Sequence, residues 1–394
     1  MTRNTEEGCL DMTSETKSQQ PLQPISSSKF SLRNLMNRIA SSPRARQRMA
    51  KFPLTRAISR KQSQDLFDLC AGFVYTQILY SFVETRLHTA LAESPMTVTE
   101  IARHTNLNLD VAERLIRGAT SLGLAVQRGD GRYDLGLKGA ALIDNPGVID
   151  MILHHAKVYR DLTDPLALMR GDIKETETGA FWSYLAEDRH DSMTQETTNV
   201  YSDLMASSQT MIAEIVTSSF NFNAYKNIVD IGGGTGTFME HVAKVAPAST
   251  LSIFDLPQVA VAANERLGWS GLGDRITAIG GDFKHGDLPN NADLMTLVRV
   301  AYDHPDSTVL ELLAKIHSAL PKGGKLLIAE PFAGDRAHDR TADAYFNFYL
   351  LAMGSGRVRT FHEHQALLSA AGFSSVSRHS TINPALAQLA LATK

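Results

Sequence analysis

The stretch richest in potential chemistry is Ile228–Phe238, which reads IVDIGGGTGTF. An apolar strand runs into glycines and then into a helix. Gly232 and Gly234 allow the backbone to approach a ligand closely, and the helix N-terminus that follows is electropositive. Such a loop by itself names only a nucleotide-like ligand. Two details narrow it. Asp230 stands at the strand end just before the glycines, where an anion repels a pyrophosphate but suits a cation. The spacing GGGTG is also not GxGxxG.

Two further acids fall in register. Asp255, in IFDLP with Leu256 beside it, ends the next strand 25 residues beyond Asp230, one strand–helix–strand step later. A carboxylate there can take both hydroxyls of a ribose; Pro257 already starts the next helix, which weakens a reading of Asp255 as its cap. Asp282 and Phe283, in GGDF at the end of a third strand, can hold an adenine amine and stack on its ring, although Asp282 alone reads as a turn residue. Together these residues point to S-adenosyl-L-methionine as cofactor, with its cationic methionyl end on Asp230.

A fourth strand ends in Arg299-Val300-Ala301-Tyr302-Asp303-His304-Pro305-Asp306. Polar groups at strand C-termini in such sheets face the ligand crevice. Arg299 is expected to hold cofactor or a neighbouring acid. Tyr302 and His304 are the candidate proton handlers, and Asp303 and Asp306 read as caps of the helix that follows. Glu330 ends the fifth strand, where it can orient a base or substrate or pair with an arginine such as Arg340.

These residues need a scaffold that brings strand ends together. Strands are expected at Asn227–Ile231, Leu251–Phe254, Ile276–Gly280, Leu294–Val300 and Lys325–Glu330, with helices at Phe238–Val245, Gln258–Leu267 and Asp306–Ala319 between them. That alternation gives an α/β fold, a Rossmann-like, doubly wound, mostly parallel sheet. The N-terminal half is mainly α-helical. Leu66–Leu91 reads as a long buried helix. Thr97–Leu124 reads as helix, turn, helix, capped by Thr97 and Thr99. Ala125–Tyr133 is a hairpin about Gly129–Gly131, completing a winged helix. A winged helix can bind DNA, but Arg114 and Arg117 on its second helix are offset by Asp110 and Glu113, and no nucleic-acid partner is expected. Val148–Ser218 is helical, with Phe181, Trp182 and Tyr184 able to line an apolar cavity.

A net charge of −3 over 394 residues gives no global attraction to nucleic acid, and two cysteines exclude a disulfide framework or a cysteine-based zinc site. The expected organisation is a disordered tail at 1–28, a basic amphipathic arm at 29–65, a winged-helix domain at 66–145, pocket helices at 146–220 and the cofactor domain at 221–394. Between Lys29 and Lys61 there are ten Lys/Arg and no Asp or Glu, interleaved with Phe30, Leu32, Leu35, Met36 and Ile39. Such a segment can lie on an anionic membrane or pack on a partner subunit.

With these residues in place, the chain resembles the small-molecule O-methyltransferases that carry an N-terminal winged-helix dimerisation domain. VDIGGGTG, FDLP, GDF, YDHPD, LPKGGKLLIAEP and RTFHEHQALLSAAGF occur in the family's order. The resemblance implies S-adenosyl-L-methionine, no metal, a homodimer and an enclosed acceptor. It also shows two departures. Tyr302 stands where the family has its histidine base, and Phe361 stands where it has a second acid; Glu330 matches the first. A tyrosine with a pKa of ~10 is a poor base at neutral pH. Such a site suits an apolar alcohol methylated mainly through proximity and orientation. RAR at 44–46, FPLTR at 52–56 and LFDLCAGFVY at 66–75 look like the carotenoid branch of the family, the hydroxyneurosporene/demethylspheroidene type, which methylates the tertiary hydroxyl of acyclic hydroxycarotenoids. That resemblance implies a hydroxycarotenoid acceptor and a protein peripheral on the photosynthetic membrane; the two cysteines, Cys9 and Cys70, fit a reducing cytoplasm. The residues themselves also allow another hydrophobic acceptor, a tetrapyrrole carbon or polyketide hydroxyl, or a winged-helix regulator that senses S-adenosyl-L-methionine.

Overall fold

The computed structural model describes residues 32–182, 208–334 and 336–394. The tail at 1–28, Phe30 and Tyr184 lie outside the described residues, as do the side chains of Leu32 and Met36. The chain divides into two compact units, Met1–Phe73 and Val74–Lys394.

The N-terminal helices are α1 (Leu32–Ser41), α2 (Pro43–Lys51) and α3 (Pro53–Glu84). The prolines opening α2 and α3 have no N–H to leave unsatisfied at a helix start, and Ser42 caps α2 by accepting from the Ala45 N–H at 3.4 Å. Helix α3 runs unbroken through positions 65 and 66. The expected long buried helix is corrected here: Leu66, Phe67, Leu69 and Phe73 are 62–73% exposed, and full burial begins only at Phe82 and Val83. Apolar residues surround α3 on more than one side, so one chain's core cannot cover them all. The helix stops at Glu84, where Arg86 turns left-handed at φ 53° and α4 (Leu87–Glu93) begins.

Next come α5 (Val98–Thr105), α6 (Leu109–Ser121) and the antiparallel pair β1 (Ala125–Gln127) and β2 (Tyr133–Leu135), the winged helix. Thr97 accepts from the Glu100 N–H at 3.3 Å while Glu100 accepts from the Thr97 N–H at 2.7 Å; Thr99 lies inside α5 rather than capping it. Ile101, Ala112, Ile116 and Ala119 are wholly buried between the two helices. The arginines of α6 pair along their own helix, Arg114 with Asp110 at 2.9 Å and Arg117 with Glu113 at 3.6 Å. Then follow α7 (Leu137–Ala140), α8 (Pro146–Asp161), α9 (Pro165–Arg170), α10 (Glu177–Trp182) and α11, residues 208–219.

From Asn227 strands and helices alternate: β3 (Asn227–Ile231), α12 (Thr237–Val245), β4 (Thr250–Asp255), α13 (Pro257–Trp269), β5 (Ile276–Gly280), β6 (Leu294–Val298), α14 (Asp306–Ala319) and β7 (Lys325–Glu330). After β8 (Phe332–Ala333) come a π-helical turn (Ala342–Phe346), α15 (Asn347–Met353), β9 (Arg359–Thr360), α16 (Phe361–Ala370), β10 (Ser375–His379) and β11 (Gln388–Thr393). The main sheet has the order β10-β11-β7-β6-β3-β4-β5. The five strands β7, β6, β3, β4 and β5 are parallel, and β11 runs antiparallel to β7. Helices cover both faces, which is why β6 is buried along its whole length. The chain winds outward from β3 to β5, then returns to β6 on the other side of β3. The strand order therefore reverses between β3 and β6, where such sheets open a crevice at their C-terminal ends.

Candidate active site

Asp230 lies at this reversal, 2% exposed. The parallel register sets it opposite Thr296 of β6, whose hydroxyl donates to the carboxylate at 2.6 Å. Burial, with the Asp255 carboxylate adding to it, pushes the Asp230 carboxyl up to about 7. No cation among the described residues offsets that charge. Gly232 follows at φ +70°, and a Cβ there would come within 2.8 Å of Val300 Cγ2, so only glycine fits. Gly234 (φ +55°) has open space where a Cβ would be, and its N–H donates to Asp255 at 2.8 Å. The other Asp255 oxygen accepts from the Leu256 N–H at 2.7 Å. Asp255 therefore joins the glycine loop to the end of β4. It does not cap α13, which begins after Leu256 with no side-chain cap.

Asp282 closes its own turn by accepting from the Lys284 N–H at 2.8 Å, and Lys315 bonds the Phe283 carbonyl at 2.7 Å from beneath. Phe283 is half-buried. These groups fit a nucleoside with a cationic tail. Asp230 is a buried acid short of a cation, Asp255 keeps lone pairs beyond the two it gives to the backbone, and Phe283 offers a ring face.

The end of β6 differs from expectation. Arg299 is left-handed (φ 57°). Its guanidinium donates to the Tyr302 oxygen at 3.0 Å and to Ser208 Oγ at 3.4 Å. Tyr302 is 5% exposed, and burial holds its phenol well above the usual range despite the arginine. It is a neutral phenol whose oxygen already accepts, so it cannot serve as a base at neutral pH. His304 packs edge-on against Phe283, with ring centroids 5.4 Å apart, and burial lowers its imidazole to about 4. It belongs to the Phe283 side of the crevice. Asp303 is not a cap either: α14 starts after Pro305 without one, and burial with the Glu330 charge beside it raises the Asp303 carboxyl to about 8.

Glu330 is wholly buried. It accepts from the backbone N–H of Tyr302 at 3.0 Å and lies 3.2 Å from Nε2 of the equally buried His364, so Arg340 is not its partner. Asp306 pairs with Arg357 and Arg359, each at 2.8 Å. Arg359, wholly buried, also donates to the carbonyls of Ala301 and His304, both at 2.7 Å. It fastens the segment 301–306 to β9, a role no local sequence signal announces. Phe361 packs beside Phe332, with the Arg378 guanidinium 5.7 Å above its ring.

Near Arg299 is a hydrogen-bonded group of which the sequence singled out only Trp182. Trp182 donates its indole N–H to Tyr349 at 2.7 Å, and the Tyr349 hydroxyl lies 2.8 Å from His154 Nε2. Tyr345 and His155 form a second pair at 2.6 Å. The partners lie up to 195 residues apart in sequence, so no spacing rule could have grouped them.

The O-methyltransferase domain family matches residues 159–374, and the O-methyltransferase dimerisation domain family matches residues 67–140. The chain belongs to the S-adenosyl-L-methionine-dependent O-methyltransferases. This methyltransferase is 38% identical to demethylspheroidene O-methyltransferase of Cereibacter sphaeroides over 95% of this chain and 98% of that one. It is 40% identical to the protein of the same name from Rhodobacter capsulatus, over 89% and 87% of the two chains. Among solved structures it resembles LaPhzM, with TM-score 0.69, 25% identity and coverage of 84% and 99%. The fold is also that of human N-acetylserotonin methyltransferase in complex with S-adenosylmethionine, with TM-score 0.71, 22% identity and coverage of 84% and 97%.

Proposed function

We propose that this methyltransferase methylates the tertiary hydroxyl of an acyclic hydroxycarotenoid. The observation that carries the reading is the 38–40% identity to two demethylspheroidene O-methyltransferases over nearly the whole chain. The site supports it: the position of the usual base holds a neutral, arginine-bound tyrosine, which is of no use for ionising a phenol and unnecessary for an alcohol that is not ionised first. In this reading Asp230 holds the cationic end of the cofactor, Asp255 its ribose hydroxyls, and Asp282 with Phe283 its adenine. Gly232, Gly234 and Leu256 shape the cradle. Arg299 and Glu330 hold Tyr302 rather than touching the cofactor.

The protein is further proposed to act as a homodimer on a membrane surface. The dimerisation family covers most of the exposed α3 face, and α3 is long and apolar enough by composition to cross a membrane. The basic residues of α1 and α2 favour an anionic surface. The deciding experiment incubates pure protein with methyl-labelled cofactor and a panel comprising a hydroxycarotenoid, a phenol, a polyketide hydroxyl and a tetrapyrrole. A methoxycarotenoid as the main labelled product is expected; label in any other acceptor alone sinks the proposal.

A further inference from the structure

We propose that Tyr345 and His155 form the proton relay for the acceptor hydroxyl, Tyr345 touching the hydroxyl and His155 receiving the proton. The inference rests on the alcohol-methylating reading above. A tertiary alcohol is too weak an acid to be ionised beforehand. It is methylated neutral, and its proton leaves from a protonated ether, a very strong acid. A weak base is sufficient, but a site that excludes water must still supply one.

The residues at the family's usual positions do not. The Tyr302 oxygen is taken by Arg299, Glu330 is wholly buried beneath the Tyr302 backbone, and His304 faces Phe283. In the opposite wall, Trp182, Tyr349 and His154 form a chain in which the Tyr349 hydroxyl is held on both sides, by the indole N–H and by His154 Nε2, and all three are buried. Tyr345 and His155 differ. They are bonded to each other at 2.6 Å, the other contact of the Tyr345 hydroxyl being the weakly accepting Met151 sulfur at 3.6 Å, and both are only half-buried, so a ligand can reach them. Tyr345 sits in the π-helical turn Ala342–Phe346, the kind of local widening that re-aims a side chain at a site. Its ring is 5.0 Å from Phe346, which in turn lies 6.3 Å from Tyr302. This places the pair one aromatic layer from the end of β6, and through Val300 from the glycine loop. Burial lowers the His155 imidazole to about 4, so it is neutral in the cell and ready to accept.

The balance is simple. The acceptor oxygen forms its bond to the methyl carbon while the pair of the old carbon–sulfur bond stays on sulfur. The hydroxyl proton passes to the Tyr345 oxygen as the Tyr345 proton passes to His155 Nε2, and the O–H electron pair remains on the ether. The imidazolium then releases its proton to solvent.

Two variants test this. Tyr345→Phe keeps the ring and removes the hydroxyl; His155→Gln keeps a hydrogen-bond acceptor for Tyr345 but cannot store a proton. With a hydroxycarotenoid as acceptor, each is expected to lose about 10²-fold in kcat, with cofactor affinity by calorimetry and acceptor KM unchanged. A wild-type kcat in either variant overturns the relay, as does a loss of cofactor affinity that tracks the loss of rate, which would make the pair structural. If the wild-type protein methylates no hydroxycarotenoid, the acceptor reading fails, and the relay falls with the alcohol it serves.

Discussion

Thr296 Oγ1 donates to Asp230 Oδ1 at 2.6 Å across two adjacent parallel strands, and it is the only side-chain hydrogen bond to that buried acid among the described residues. The carboxyl is raised from 3.8 to about 7. Between about pH 4 and 7 the folded protein without cofactor therefore holds a proton here that the unfolded chain releases, and the contribution of Asp230 to stability falls as pH rises across that window, then levels. A cationic ligand favours the ionised form. Cofactor affinity measured by calorimetry is expected to be several-fold tighter at pH 7.5 than at pH 6, and Asp230→Asn should abolish that slope. An unchanged slope in the variant would assign the dependence to another group.

Asp255 ties the glycine loop to β4 with two backbone bonds. Asp255→Asn retains one acceptor oxygen but loses the charge and the bidentate reach. A loss of about 1.5–3 kcal/mol in cofactor binding is expected, the range for bonds to charged groups. Asp255→Ala should in addition lower thermal stability, because both N–H groups lose their acceptor. Equal cofactor binding by Asp255→Asn and the wild type would remove Asp255 from the ribose.

Tyr302 is held by Arg299 and does not ionise in the physiological range. Tyr302→Phe is expected to reduce kcat less than tenfold, ~1 kcal/mol, and to leave the pH–rate profile between pH 6 and 9 unshifted. A profile that loses an ionisation in the variant would restore Tyr302 as the proton handler.

Arg359 is buried with four acceptors: Asp306, the carbonyls of Ala301 and His304 and, at 3.5 Å, the carbonyl of Arg357. Arg359→Met leaves the buried Ala301 carbonyl and the part-buried His304 carbonyl without this donor and removes one of the two arginines from Asp306. A destabilisation of about 3 kcal/mol is expected, read as a lower urea midpoint, with turnover falling as the 301–306 segment loosens. A midpoint within error of wild type would show that Arg357 suffices.

The exposed face of α3 is expected to mediate self-association. Phe73→Glu, which places a charge on a residue 73% exposed in the single chain, should shift the protein from dimer to monomer in light scattering. Replacing Arg44, Arg46 and Arg48 by Ser should weaken cosedimentation with anionic vesicles without touching the oligomeric state. The opposite pattern in either experiment would exchange the two assignments.

The parallel sheet was readable because its signals are local: an apolar run of five residues, a turn with glycines, then a helix at a spacing of about 25. The strand limits at Asn227–Ile231, Ile276–Gly280 and Lys325–Glu330 match the structure residue for residue. Helix α3 was read too deep in the core, because apolar content tells that a face will be covered and not which molecule covers it.

The sequence by itself placed at the strand ends the acids that we propose hold the cofactor. Asp230, Asp255 and Asp282 each sit at or just past a strand end, because strand–helix alternation converts linear spacing into position along a parallel sheet; the strand order came from the fold. The side proposed for the acceptor was visible only in the tertiary structure. Whether Tyr302 could be a base depended on burial and on the direction of the Arg299 hydrogen bond. The His155–Tyr345 pair arises where α8 meets a π-helical turn 190 residues later. Such pairings and the dielectric around them come from packing between distant elements, which no residue's neighbours in the chain encode.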